Sequence, residues 1–149
     1  MDMFFLESIN KGRRYYVVFD SNKDGQTLVP RIPQNFMTKN GYEDNKTKRI
    51  PASDSIGKCL KAISKNLKNE KLFVHKILTN EIPYNPTIQE VPDKNITGEV
   101  WFMKPVKLKC VGEILITDDD GKDGQTYTYG PKNTEAELYG WKYEWTEKF

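Results

Sequence analysis

Asp20, Asn22, Asp24 and Gly25 open like a calcium-binding loop, with three side-chain oxygens at alternating positions and then the glycine that permits a sharp turn. Where a bidentate glutamate should close the coordination sphere stands Arg31, a cation that repels calcium. The same stretch, KDGQT, returns at Lys122–Thr126, where counting from Asp118 puts Lys122 at the fifth ligand position. Neither copy reads as a metal site, and no metal is expected. Asp-Gly between apolar strands is instead a hairpin signal, because both central residues of a type I′ turn need positive φ. Asp24–Gly25 and Asp123–Gly124 are therefore expected at two hairpin tips.

A second polar group comprises Arg31, Asn35, Tyr42, Glu43, Asp44, Arg49, Ser53 and Ser55, and it runs into the start of a predicted helix. Free main-chain N–H groups, serine hydroxyls and two arginines together suit a phosphate or another anion. The alternative is that Ser53 and Asp54 cap the helix while Arg49 pairs with Glu43 or Asp44. Glu99 and Glu113 each follow a glycine and begin a strand, so either carboxylate could project into a cleft or stand solvated; acting as a glycosidase-like pair would require a particular separation. Trp101, Trp141 and Trp145 suit a ligand platform or a core.

The single histidine, His75, lies inside KLFVHKIL without partners at catalytic-triad or zinc spacing, and reads as a strand position facing a neighbour. Cys59 and Cys110 lie far apart and are expected as buried, reduced thiols. No dinucleotide, P-loop, HExxH or CxxC fingerprint occurs.

These side chains must be held by short elements. RYYVVF reads as a strand, with QTLVPRI as its hairpin partner, demoted to an edge by Pro30. Residues 33–51 are almost all turn and cap formers, longer than the ~12–15 residues of an ordinary connection. Ile56, Cys59, Leu60, Ile63 and Leu67 fall on one face of a helix predicted over about residues 54–67. KLFVHKIL, GEVWFM, VKLKCV, GEILIT, QTYTY and LYGWKYEW follow as strands. The fold class is thus α+β: strand-rich, mostly antiparallel sheet with one main amphipathic helix.

At 149 residues the chain has the length of one domain. A net charge of +2 advertises neither nucleic acid nor membrane by composition, and 12% aromatic content argues for a packed core. No apolar run approaches the ~20 residues of a membrane-spanning helix, and Met3–Leu6 is too short for a signal-peptide core, so a cytoplasmic protein is expected. Lys58, Lys61, Lys65 and Lys68 share a helical face, with Lys71 beyond. They could meet nucleic acid, or simply form the solvated side of the helix.

The order LVPRIP, NGYEDNKTKRI, SDSIGKCLKAI, LFVHKIL, VPD, TGEVWF and GEILI resembles small proteins encoded by Firmicutes and their phages. Its layout over Leu28–Ile116 is similar to compact ADP-ribosyltransferase-like domains. The resemblance implies NAD as cofactor, an early-strand Arg on its phosphates or ribose, a polar residue ahead of a helix, and a later Glu at the nicotinamide ribose. Carried onto this chain, these roles fall to Arg31, to Ser53, and to Glu113 or Glu99, with Tyr42, Arg49 and Ser55 as further cofactor contacts. PASDS stands where that superfamily has Ser-Thr-Ser, and neither glutamate lies in a Glu-x-Glu pair. The implied function is transfer of ADP-ribose from NAD to a host macromolecule by a phage or mobile-element accessory protein. The alternative is a non-enzymatic module, for example of anti-CRISPR type, that binds and inhibits a host or defence complex, with Phe36, Tyr42 and Tyr84 as exposed contacts.

Overall fold

β-Branched and aromatic residues alternate along Tyr15–Phe19 and Leu72–Ile77, and the two runs become adjacent strands of one sheet. The computed structural model describes residues 14–33, 37–38, 41–42, 44–63, 67–119, 126–128, 137–139 and 141–148. In chain order its elements are β1 (Tyr16–Phe19), β2 (Thr27–Leu28), β3 (Met37–Thr38), β4 (Gly41–Tyr42), β5 (Ile50–Ala52), α1 (Ile56–Lys61) and β6 (Lys71–Leu78). Then follow α2 (Lys94–Thr97), β7 (Val100–Phe102), β8 (Val106–Asp119), β9 (Thr126–Thr128), β10 (Glu137–Tyr139) and β11 (Trp141–Glu147). Every strand pairing among the described residues is antiparallel, and the architecture is α+β.

The main sheet runs β1, β6, β8. The outer edge of β8 is shared: β2 covers Val106–Lys107 and β11 covers Gly112–Asp119. The expected first hairpin does not form. Thr27 and Leu28 pair with Lys107 and Val106 instead of with β1, so residues 20–26 pass across β6 and β8 to the far edge of the sheet. Four hydrogen bonds fasten this crossover: Lys23 N–H to His75 Nε2 at 2.9 Å, Cys110 N–H to Asp24 Oδ1 at 2.8 Å, Gly25 N–H to the Leu108 carbonyl at 2.9 Å, and Leu108 N–H to the Gln26 carbonyl at 2.9 Å. Gly25 has φ 75°, a left-handed conformation that an Asp-Gly pair supplies here for docking and not for a hairpin. After the second repeat, the strand β9 pairs with β10. Residues 122–125 themselves lie outside the described residues.

VKLKCV and GEILI, read as two strands, form the single strand β8. Val74 pairs with Gly112 but His75 pairs with Cys110, leaving Val111 as an extra residue on the β8 side. One inserted residue turns every later side chain to the other face. Before the bulge, Val106 and Leu108 pack with Tyr15, Val17, Ile50, Ile77 and Phe102. After it, Ile114 and Ile116 pack with Tyr16, Leu72, Val74, Ile56, Leu60 and Leu67. One strand thereby serves two cores, one on each side of the sheet.

The helix keeps its predicted face but not its length. α1 spans six residues, with Ile56 and Leu60 fully buried, and Ile63 N–H turns back to the Leu60 carbonyl beyond its end. A helix this short is not stable alone. Burial of two such side chains, about 1.5–3 kcal/mol each, holds it to the sheet.

Candidate functional site

β1 is an edge strand of the main sheet, and its outer side meets the end of β5 through one bridge: Tyr16 N–H to the Ser53 carbonyl at 2.7 Å and Ser53 N–H to the Tyr16 carbonyl at 3.2 Å. Beyond that bridge the two segments separate. A cleft of about 410 Å³ opens there, walled by Val17–Phe19, Lys23 and Thr27–Val29 on one side and by Arg49–Ser53 and α1 on the other. Its volume lies in the ~300–1,000 Å³ range of small-molecule sites.

Arg31, Ser53 and Glu99 all line this cleft, although they come from three distant parts of the chain. Arg31 is exposed and is set in place by its main chain, which exchanges two hydrogen bonds with Arg49, at 3.1 and 3.0 Å. Ser53 is buried at the end of β5, and its hydroxyl has no hydrogen-bond partner among the described residues. Glu99 lies just before β7, buried, with its Oε2 accepting from Trp101 Nε1 at 2.6 Å. That indole is clamped in turn. The Arg49 guanidinium lies 4.2 Å from the centre of a Trp101 ring, and the Tyr84 ring is 5.6 Å away.

From sequence, Arg49 is expected either to clamp an anion or to pair on the surface with Glu43 or Asp44. It pairs with Asp44, Nη1 to Oδ2 at 3.4 Å, and also donates to the Thr47 carbonyl at 2.9 Å, but it is completely buried at the cleft wall. Hydrogen bonding from Thr47, aided by the Arg49 charge, holds the Asp44 carboxyl below the usual carboxylate range. Trp101 is completely buried, so it supports Glu99 from behind and is no open platform.

Other predicted residues go elsewhere. Glu113 is not part of the cleft lining; it bridges Lys71 at 3.1 Å and Lys148 at 2.8 Å, and the hydrogen bond from Lys148, with that from Lys71, holds its carboxyl below the usual range. Ser55 is the N-cap of α1, its hydroxyl accepting from Lys58 N–H at 3.4 Å, and it does not line the cleft. The Tyr42 main chain pairs with Met37 in β4, while its side chain, with Asn35, Phe36, Glu43, Lys65 and the Trp141 side chain, lies outside the described residues. The lysine stripe is broken because α1 ends at Lys61: Lys58 reaches Asp54 at 3.4 Å and Lys71 is held by Glu113. Trp145 packs against the core beside α1.

Cys59 also lines the cleft, but its thiol donates to the Tyr16 carbonyl at 3.2 Å, and burial pushes its pKa up to about 12. It stays protonated and is no nucleophile. Among the described residues no three His, Cys, Asp or Glu side chains gather as metal ligands. The oxygens of the first Asp loop serve the chain itself: Asn22 Oδ1 takes the Asp24 N–H and Asp24 Oδ1 takes that of Cys110.

Thr97 and Lys58 line the cleft too, and neither follows as a cleft residue from the sequence. Thr97 closes α2 and lines the cleft beside Glu99, with its Oγ1 buried and unpartnered among the described residues. The available signal was the Thr-Gly pair of VPDKNITGEV, since glycine after a polar helical turn marks a left-handed helix end.

No family model, no curated protein and no solved structure matches the chain. No helix among the described residues is long and apolar enough to cross a membrane.

Proposed function

We propose that the chain has an ADP-ribosyltransferase-like domain that binds NAD in this cleft and transfers ADP-ribose to a macromolecule of the host. The supporting observation is that Arg31, Ser53 and Glu99 line one cleft, Glu99 being one of the two glutamates, with Glu113, to which the resemblance gives the third role. The lining also fits the group. It carries the cations Lys23, Arg31 and Lys58, with the Arg49 guanidinium buried against Asp44, and the one carboxylate of Glu99, with apolar side chains such as Phe19, Leu28 and Ile50 between them. Such a wall suits a dinucleotide with a charged centre and flat apolar ends.

NAD supplies a nicotinamide leaving group on a ribose whose glycosidic bond gives way as positive charge develops on the sugar. The chain's part is electrostatic. Arg31, exposed at the rim, attracts the phosphates. The Glu99 carboxylate, locked by Trp101 in a partly dehydrated position, presents a fixed negative charge to the sugar and needs no reorganisation to do so. Glu99 takes this role in preference to Glu113 because it lines the cleft, whereas Glu113 lies outside the lining. Titration with NAD, followed by thermal unfolding and by release of nicotinamide, tests the proposal. Absence of any stabilisation of the folded chain at millimolar NAD rejects it.

A second reading, a protein-binding inhibitor of a host or defence complex, draws on a different surface. Ile82, Tyr84, Ile88, Ile96 and Met103, all from residues 82–103, are exposed. A stoichiometric partner retained equally by the wild type and by Glu99→Gln, with no NAD turnover, favours this reading.

A further inference from the structure

We infer that Lys58, Ser53 and Thr97, gathered around Gly98, form a seat for a tetrahedral oxyanion, a phosphate group, at the end of β5 away from Arg31. The inference rests on the cleft being a ligand site and does not require NAD to be the ligand.

The geometry is set by a missing side chain. Gly98 caps α2 in the left-handed conformation, φ 59°. A methyl group on its Cα would stand 2.8 Å from Lys58 Cδ and 3.4 Å from both Lys58 Nζ and Ser53 Oγ. The Lys58 side chain and the Ser53 hydroxyl therefore lie close against the Gly98 main chain, an approach that a Cβ at this position would crowd. The adjoining Thr97 adds a third group. Thr97 and Ser53 are each only 3% exposed, and neither hydroxyl has a partner among the described residues. Buried hydroxyls are costly unless something completes their hydrogen bonding.

The chemistry favours an anion over a sugar hydroxyl or a cation. Two hydroxyls can turn their protons toward one acceptor, and Lys58 contributes only donors. Glu99, the one carboxylate among the lining side chains, already accepts from Trp101, whereas Lys23, Arg31 and Lys58 line the cleft as cations. The Asp54 partner of Lys58 sits 3.4 Å away in an exposed pair, a weak competitor for a phosphate.

The spacing separates this seat from Arg31. Arg31 is bridged to Arg49 before β5, whereas Ser53 follows it. At about 3.3 Å per residue the two ends of that segment are about 13 Å apart. The cleft therefore offers two anion positions, for a ligand charged at both ends or for two ligands side by side.

Amide NMR of the full chain, titrated without NAD with inorganic phosphate and separately with adenosine monophosphate, tests the seat. Saturable shifts at Ser53, Thr97 and Gly98 are expected, with affinity reduced at least tenfold in Lys58→Met and Thr97→Val and changed less than twofold in Arg31→Ala. Tighter binding of the monophosphate at these amides assigns the seat to a phosphate monoester, and equal or tighter binding of inorganic phosphate assigns it to free phosphate. Absence of saturable shifts, shifts confined to Arg31 and Arg49, or unchanged affinity in folded Lys58→Met overturns the inference. If a variant does not fold, the wild-type shift map decides alone. Because NAD is absent throughout, failure here is distinct from failure of the transferase proposal.

Discussion

The Asp24 carboxylate accepts the Cys110 main-chain N–H at 2.8 Å, at the place on β8 where the outer edge passes from β2 to β11. On one side of this bond Gly25 N–H binds the Leu108 carbonyl, and on the other Lys148 N–H binds that of Val111. That side chain thus helps to close the interval between the two covering strands. Asp24→Ala leaves the N–H without its partner and is expected to cost about 1–3 kcal/mol. Asp24→Asn keeps an acceptor oxygen and should cost less. Urea unfolding of the two variants measures the difference.

The neighbouring latch titrates. His75 is fully buried and takes the Lys23 N–H on Nε2, which requires an unprotonated nitrogen there. Burial lowers its pKa from the ordinary 6.5, against smaller opposing effects of the Phe73 and Val17 main chains and of Asp24. As pH falls through about 6.5 the unfolded chain takes up a proton that the folded chain still refuses, so stability declines on acidification and is level above that value. His75→Gln cannot titrate and should flatten the first part of that decline. The contributions of Asp44 and Glu113, both held below their ordinary range, are fully present above the usual carboxylate pKa and disappear only at lower pH. Stability curves of the wild type and His75→Gln from pH 7.5 to about 5 resolve the two effects.

How much of this was readable follows from which forces are local. β6 spans KLFVHKIL as expected, because alternation within one strand records burial on its two faces. Ile56, Leu60 and Leu67 reach one core for the same reason, even though α1 stops at Lys61. The Asp-Gly turn was misread because its chemistry fits any left-handed turn, while its partners Cys110 and Leu108 are distant in the chain. The β8 bulge was hidden because an inserted residue looks like a strand break at Gly112. The resemblance points to Arg31, to Ser53 and to Glu113 or Glu99; Arg31, Ser53 and Glu99 line the cleft and Glu113 does not. The support of Glu99 by Trp101 and Arg49 is a matter of tertiary stacking that no spacing in the sequence encodes.

Gly112 tests the bulge directly. A methyl group there would lie 1.9 Å from Trp145 Cη2 and 2.1 Å from Cζ2, inside the indole. Gly112→Ala is expected to destabilise the fold by at least about 1–3 kcal/mol through overpacking. Trp145→Leu removes the obstructing ring, so the double variant should be more stable than the sum of the two single losses implies. Chemical denaturation of all four proteins gives the coupling.

NAD binding is the most direct test of the cleft as an active site. Calorimetric titration of NAD, paired with a measurement of nicotinamide release in the presence of cell extract as acceptor, should show saturable binding and turnover for the wild type and for Glu113→Gln. Arg31→Ala should weaken binding at least tenfold. Glu99→Gln should bind NAD within about threefold of the wild type while losing at least about 100-fold in turnover, as loss of a preorganised electrostatic partner implies. No binding at millimolar NAD by the folded wild type, or full turnover in Glu99→Gln, would contradict the account.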